Sequence, residues 1–183
     1  FPFILRMLPT ETVGVWTIFM TIAQVTFLFD FGFNASFARN VSYVFSGVSL
    51  LKREGYEDVE DVDNVDYGLL SGTIKAMRYF YLRMAIVLFF LFSTVGTLYV
   101  SYLMRGYEGD VSEVYWAWMI LVIINSYNLY TLYYEALLHG RGLIKKMHQI
   151  ILVGNVVYIL FAVVLILLGG GLVAIVSSQA ISV

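Results

Sequence analysis

Apolar residues run in long blocks along this chain, and the charged residues collect between the blocks. That segregation differs from a soluble amphipathic helix, in which polar positions return at every turn. A bilayer core roughly 30 Å thick needs about 20 consecutive apolar residues per helical crossing. Four blocks meet that length, at 13–33, 79–103, 114–138 and 150–168. Residues 1–8 read as the tail of an earlier helix closed by Pro9, and 172–183 as the start of a further one after Gly169-Gly170-Gly171. The pattern predicts an all-α, polytopic transmembrane bundle with about four complete spans and two partial ones. The chain opens at Phe1 rather than a methionine and ends at Val183 within an apolar run, so a fragment of a longer protein is expected.

Composition agrees, with 60% hydrophobic and 13% charged residues, where a soluble domain averages about a quarter charged. The distribution of Lys and Arg predicts orientation, because positive residues flanking a span stay on the cytoplasmic side. Residues 34–78 hold Arg39, Lys52, Arg53, Lys75 and Arg78, and the turn near Gly140 holds Arg141, Lys145 and Lys146, so both are expected to be cytoplasmic. The 104–113 loop has only Arg105 among Glu108, Asp110 and Glu113, and the turn at 8–12 has neither Lys nor Arg, so both are expected outside. A net charge of −2 without a basic, aromatic-interleaved run argues against nucleic acid as a partner. The absence of cysteine removes disulfides, thiolate catalysis and zinc–thiolate sites. Asp58, Asp61, Asp63 and Asp66 crowd the stretch 54–66 without the alternate ligands, sixth-position glycine and twelfth-position glutamate of a helix-loop-helix calcium site. That stretch reads as a solvated cytoplasmic loop.

Ionisable side chains inside a span are costly and point to cavities or partner charges. Asp30, Arg83 and Glu135 are the candidates, each with the alternative of reaching the headgroups from a span end. Asn125, Asn128, Thr131, Glu135 and His139 fall within an arc of roughly 120° on one helix face. Such a stripe suits either sugar hydroxyls and a coupled cation or hydrogen bonds between helices. Glu135 and His139 have the spacing of helical metal ligands but lack a third, so no metal site is expected. Asp30, Gly32, Asn34, Ser36, Arg39, Asn40 and Ser42 form a second polar set, in which Gly32 permits a bend. Arg39 there suits a bidentate grip on phosphate, or else plain interfacial anchoring with an Asp30–Arg39 pair. Trp116 and Trp118 are expected in an outer aromatic belt, and Gly154, Asn155 and Ala162 in helix packing.

The run Leu8-Pro9-Thr10-Glu11-Thr12-Val13-Gly14-Val15-Trp16, then Leu28-Phe29-Asp30-Phe31-Gly32-Phe33 and Ser36-Phe37-Ala38-Arg39-Asn40-Val41-Ser42-Tyr43, resembles the opening of oligosaccharide repeat-unit flippases. Phe45-Ser46-Gly47 and the acidic insertion before Tyr67-Gly68-Leu69-Leu70 add to the likeness. These O-antigen flippases belong to the multidrug, oligosaccharidyl-lipid and polysaccharide exporter superfamily. The resemblance implies the first lobe of a two-lobed transporter of twelve to fourteen helices in a bacterial inner membrane. It implies alternating-access movement of undecaprenyl-diphosphate-linked oligosaccharide, with no enzymatic step and no cofactor. Polysaccharide polymerase and chain-length machinery would be its neighbours. Substrate binding is expected at Arg39, Asn40, Arg83, Asn125 and Asn128, and ion coupling at Asp30 and Glu135. Two other functions fit less of the chain: a drug exporter of the same superfamily, and a membrane-embedded glycosyl- or acyltransferase for which Glu135 with His139 is the only trace.

Overall fold

The computed structural model describes residues 9–48 and 65–181. The expected helix tail at 1–8 and most of the acidic stretch 54–66, with Lys52 and Arg53, lie outside the described residues. The protein is all-helical, 88% helix with no strand among the described residues. Its helices are α1 (Thr10–Gln24), α2 (Phe33–Phe45), α3 (Tyr67–Leu91), α4 (Thr97–Leu103), α5 (Val111–Gly140), α6 (Ile144–Leu167) and α7 (Gly171–Ser178). Three segments are long and apolar enough to cross a membrane, Thr10–Asp30, Tyr67–Gly106 and Ile144–Leu167, which by length and composition makes this a membrane protein.

Local chemistry accounts for where these helices begin. Pro9 precedes α1 with φ −55°, a ring-fixed angle already suited to a helix entrance. The Asp66 side chain accepts from the Leu69 N–H at 2.9 Å, so one carboxylate of the acidic stretch is a helix cap. Asp110 caps α5 in the same way, accepting from Ser112 N–H at 2.8 Å. The cap at Asp66 starts α3 twelve residues before the apolar block expected at 79–103, and Phe33–Phe45 is helical too. Both described ends of the 34–78 segment are thus regular helix.

The helix α5 is the axis of the bundle. Its 30 residues extend about 45 Å, well beyond a bilayer core. It is long enough to cross but is not one of the three apolar segments, and Asn125, Asn128, Thr131 and Glu135 lie along it. Neighbouring helices cover much of its surface, with Ala117, Trp118, Leu121, Val122, Leu129 and Ala136 fully buried. By contrast α6 has the highest mean hydropathy of the apolar segments, 3.0, and only 11% of its most apolar stretch is buried, as lipid-facing surface requires.

Side-chain contacts give the directions of the helices. Thr26 bonds Asn125, 99 positions away, and Asn34 bonds Leu132, 98 away. The Phe19–Trp118 ring contact and the approach of Val41 to Gly140 keep the same offset. The chain from α1 through α2 therefore runs parallel to α5 along most of its length, although Phe31 and Gly32 between them are left-handed, with φ 49° and 74°. The break is an offset in one path and not a hairpin. Thr97 meets Trp118 and Arg78 meets Tyr130, so α3 and α4 run antiparallel to α5.

Two tight contacts fix this packing. A Cβ at Gly140 would stand 2.6 Å from Val41 Cβ, so only glycine lets α2 approach the end of α5 so closely. Near the opposite end the helix between α3 and α4 widens into a π-turn at Phe92–Gly96. There the Trp118 indole N–H donates to Thr97 Oγ1 at 3.0 Å, and the Thr97 hydroxyl donates to Phe92 O at 3.3 Å. Trp118 is fully buried against Phe19 and Phe92, which corrects its assignment to an outer belt. Two positions apart on a helix lie about 200° apart, so Trp116 and Trp118 face opposite ways. Trp116 is the exposed one, at 67%.

The Gly140 contact is testable by heating the purified protein in detergent. Gly140→Leu is expected to lower stability by about 1–3 kcal/mol through overpacking. Gly14→Leu, on α1 where no atom lies within 4 Å of the added Cβ, is expected to leave the melting temperature nearly unchanged.

Candidate functional site

The left-handed break after Asp30 separates the end of the first membrane segment from α2, and a cleft lies beside it against the last turns of α5. This cleft has a volume of about 580 Å³ and is lined by Asp30, Asn34, Arg39, Ser42, Glu135 and His139, among others. A second cleft of about 310 Å³ lies between α5 and α6, lined by Asn128, Thr131, Glu135, Met147 and Ile151, among others. Glu135 borders both. Asp30 and Glu135, the two expected ion-coupling residues, thus share one cavity with Arg39, an expected substrate residue.

Asp30 is held by its neighbours. The Tyr81 hydroxyl donates to Asp30 Oδ1 at 2.7 Å, and the Asn34 backbone N–H donates to the same oxygen at 3.1 Å. The second contact places a carboxylate at the start of α2, where the unpaired N–H groups and the helix dipole favour negative charge. Asp30 is therefore fastened to Tyr81 and Asn34 rather than to Arg39. The Asn34 side chain in turn donates to Leu132 O at 3.4 Å and ties the break to α5. Arg39 is exposed at the cleft, as are Glu135 and His139.

The polar stripe on α5 divides. Asn125 is only 8% exposed, receives a hydrogen bond from Thr26 at 3.3 Å and donates to Leu121 O at 2.9 Å. It joins helices, away from both clefts. Asn128 and Thr131 line the smaller cleft, where the Thr131 hydroxyl donates back to Asn128 O at 2.9 Å. Asn40 is half-buried on α2 and lines neither cleft. Arg83 is exposed on α3, its guanidinium 4.9 Å from the Tyr79 ring centre, and also lies apart from both. Five of the seven expected residues divide between the clefts and the α1–α5 seam, and Asn40 and Arg83 stand outside them.

Tyr81 is the residue that sequence reasoning missed. Nothing marks it among the 14 tyrosines of the chain, since its role depends on which helix packs opposite. Among the described residues, no three of His, Cys, Asp or Glu stand close enough to hold a metal ion. No family model, curated protein or solved structure matches the chain.

The two inter-helix bonds differ in charge and should differ in strength. A double-mutant cycle of Asp30→Ala with Tyr81→Phe is expected to give a coupling of about 1.5 kcal/mol, typical of a hydrogen bond to a charged group. The same cycle over Thr26→Val and Asn125→Ala is expected near 0.6 kcal/mol, the membrane average for side-chain hydrogen bonds between helices.

Proposed function

We propose that this chain is part of the first lobe of a two-lobed, multi-pass bacterial inner-membrane transporter that flips undecaprenyl-diphosphate-linked oligosaccharide by alternating access. The single observation that carries the reading is the 580 Å³ cleft, in which an exposed Arg39 shares walls with Asp30, Glu135 and His139. A guanidinium outside any ion pair with Asp30 keeps its donor fork for a ligand, and diphosphate oxygens match that fork bidentately. The motifs around Pro9, Asp30 and Arg39 support the same reading by resemblance.

In this account Arg39 grips the diphosphate, and Asn128 and Thr131 offer hydrogen-bonding groups to sugar from the adjoining cleft. Glu135, placed between the two clefts, is the ion-coupling residue best positioned to sense both. Asp30 acts with it while holding the start of α2 in place. Asn125 supports the site through the α1–α5 seam, and Arg83 and Asn40 have no direct role in the cleft. The drug-exporter and transferase alternatives draw no comparable support from a specific contact.

Complementation of a flippase-deleted strain by the full-length protein tests this directly, with surface polysaccharide scored against expression-matched wild type. Arg39→Ala is expected to reduce export at least tenfold, with partial recovery in Arg39→Lys. Wild-type rescue that survives Arg39→Ala undiminished would remove Arg39 from the path. Failure of wild type in several hosts would count against lipid-linked sugar as the substrate.

A further inference from the structure

A third cavity lies on the flank of the bundle between α3 and α5, away from the polar clefts. This groove of about 570 Å³ is lined by Leu82, Ile86, Phe89, Phe90, Ile123 and Tyr130, among others. Its walls are almost wholly apolar, and Leu82, Ile86 and Phe90 are 45–62% exposed along it. One end is different. Tyr130 closes the groove there, and Arg78 Nη2 donates to the Tyr130 hydroxyl at 3.3 Å while its guanidinium stands 5.9 Å from the centre of the Tyr133 ring. Lys75 lies one turn before Arg78 on the same face of α3, and Leu82, Ile86 and Phe89 follow at helical spacing. The face therefore reads as two cations followed by an apolar channel.

We infer that this groove binds one anionic phospholipid of the surrounding leaflet, its phosphate at Arg78 and Lys75 and one acyl chain along Leu82, Ile86 and Phe90. Charge complementarity selects the occupant, because a net-negative headgroup gains more from paired cations at the mouth than a zwitterionic one, whose ammonium they repel, and a neutral helix gains nothing. Length agrees as well. Arg78 to Phe90 covers about 18 Å of helix, close to the ~15 Å depth of one leaflet's share of the core, so a headgroup at the interface carries its chain to the midplane. The Tyr130 hydroxyl, which accepts from the guanidinium, has its own proton to donate to a phosphate oxygen. This inference stands on the groove and its cations and does not depend on the transport reading.

Native mass spectrometry of the full-length protein, released from detergent with equal amounts of phosphatidylglycerol and phosphatidylcholine, reads the site. Wild type is expected to retain a single phosphatidylglycerol in preference to phosphatidylcholine by about fivefold or more, the worth of one interfacial cation. Arg78→Gln is expected to lower that preference, and Arg78→Gln with Lys75→Gln to bring the two lipids to near parity. Ile86→Trp keeps both cations but fills the channel, and is expected to lower retention of phosphatidylglycerol. Arg141→Gln removes the same charge at a residue stacked on Phe45 instead, and is expected to change nothing. Equal retention of both lipids by wild type would overturn the inference. So would equal losses in Arg78→Gln and Arg141→Gln, which would mean that bulk charge alone attracts the lipid.

Discussion

The parallel packing of α1 and α2 along α5 is the constraint on which the rest of the structure depends. Phe19 on Trp118, Thr26 on Asn125, Asn34 on Leu132 and Val41 on Gly140 repeat one register along the axis helix. In lipid no hydrophobic force drives helices together, so close approach, ring packing and inter-helix hydrogen bonds must do it. Each appears once or more along this seam. Holding one register on both sides of a left-handed break displaces α2 without reversing the chain.

The cleft lies beside that offset, between α2 and the last turns of α5. Although α2 closes on α5 at Val41 and Gly140, Asp30, Arg39 and Glu135 line open space beside that contact. Phe31 is the only non-glycine residue with positive φ among the described residues, an unfavourable conformation for a bulky side chain. Asp30 compensates by receiving the Asn34 N–H and the Tyr81 hydroxyl, so the carboxylate that sits in the cleft also holds the break beside it. Removing this carboxylate would then act on helix geometry as well as on the cavity. At the far end, Glu113 accepts the Leu172 N–H at 2.6 Å and fastens the start of α7 to α5.

The apolar blocks were legible because lipid requires continuous apolar stretches, and the expected 13–33, 79–103 and 150–168 each overlap an observed membrane-length helix. The continuation into Phe33–Phe45 was readable as helix, whereas the start of α3 at Tyr67 was not, because polar residues are as compatible with helix as with loop. Asp66 before an apolar run was a readable cap signal that its acidic neighbours obscured. Spacing allowed the bend at Gly32, but the gathering of Asp30 and Arg39 with Glu135 depends on how α2 packs on another helix, which spacing does not give. Asn125 was not separable from Asn128, since periodicity assigns a face but not the neighbour that covers it. Trp118 shows the same limit, for two tryptophans at i and i+2 cannot share a face, yet only packing reveals which one turns inward.

Disulfide trapping tests the shared register most directly, and the chain has no native cysteine to interfere. Two paired variants in native membranes suffice, Thr26→Cys with Asn125→Cys before the break and Asn34→Cys with Leu132→Cys after it. The account predicts rapid cross-linking of both pairs and none when partners are exchanged between them. Cross-linking of the first pair alone would mean that α2 leaves α5 at Gly32, and the cleft bounded by Asp30, Arg39 and Glu135 would not exist as described.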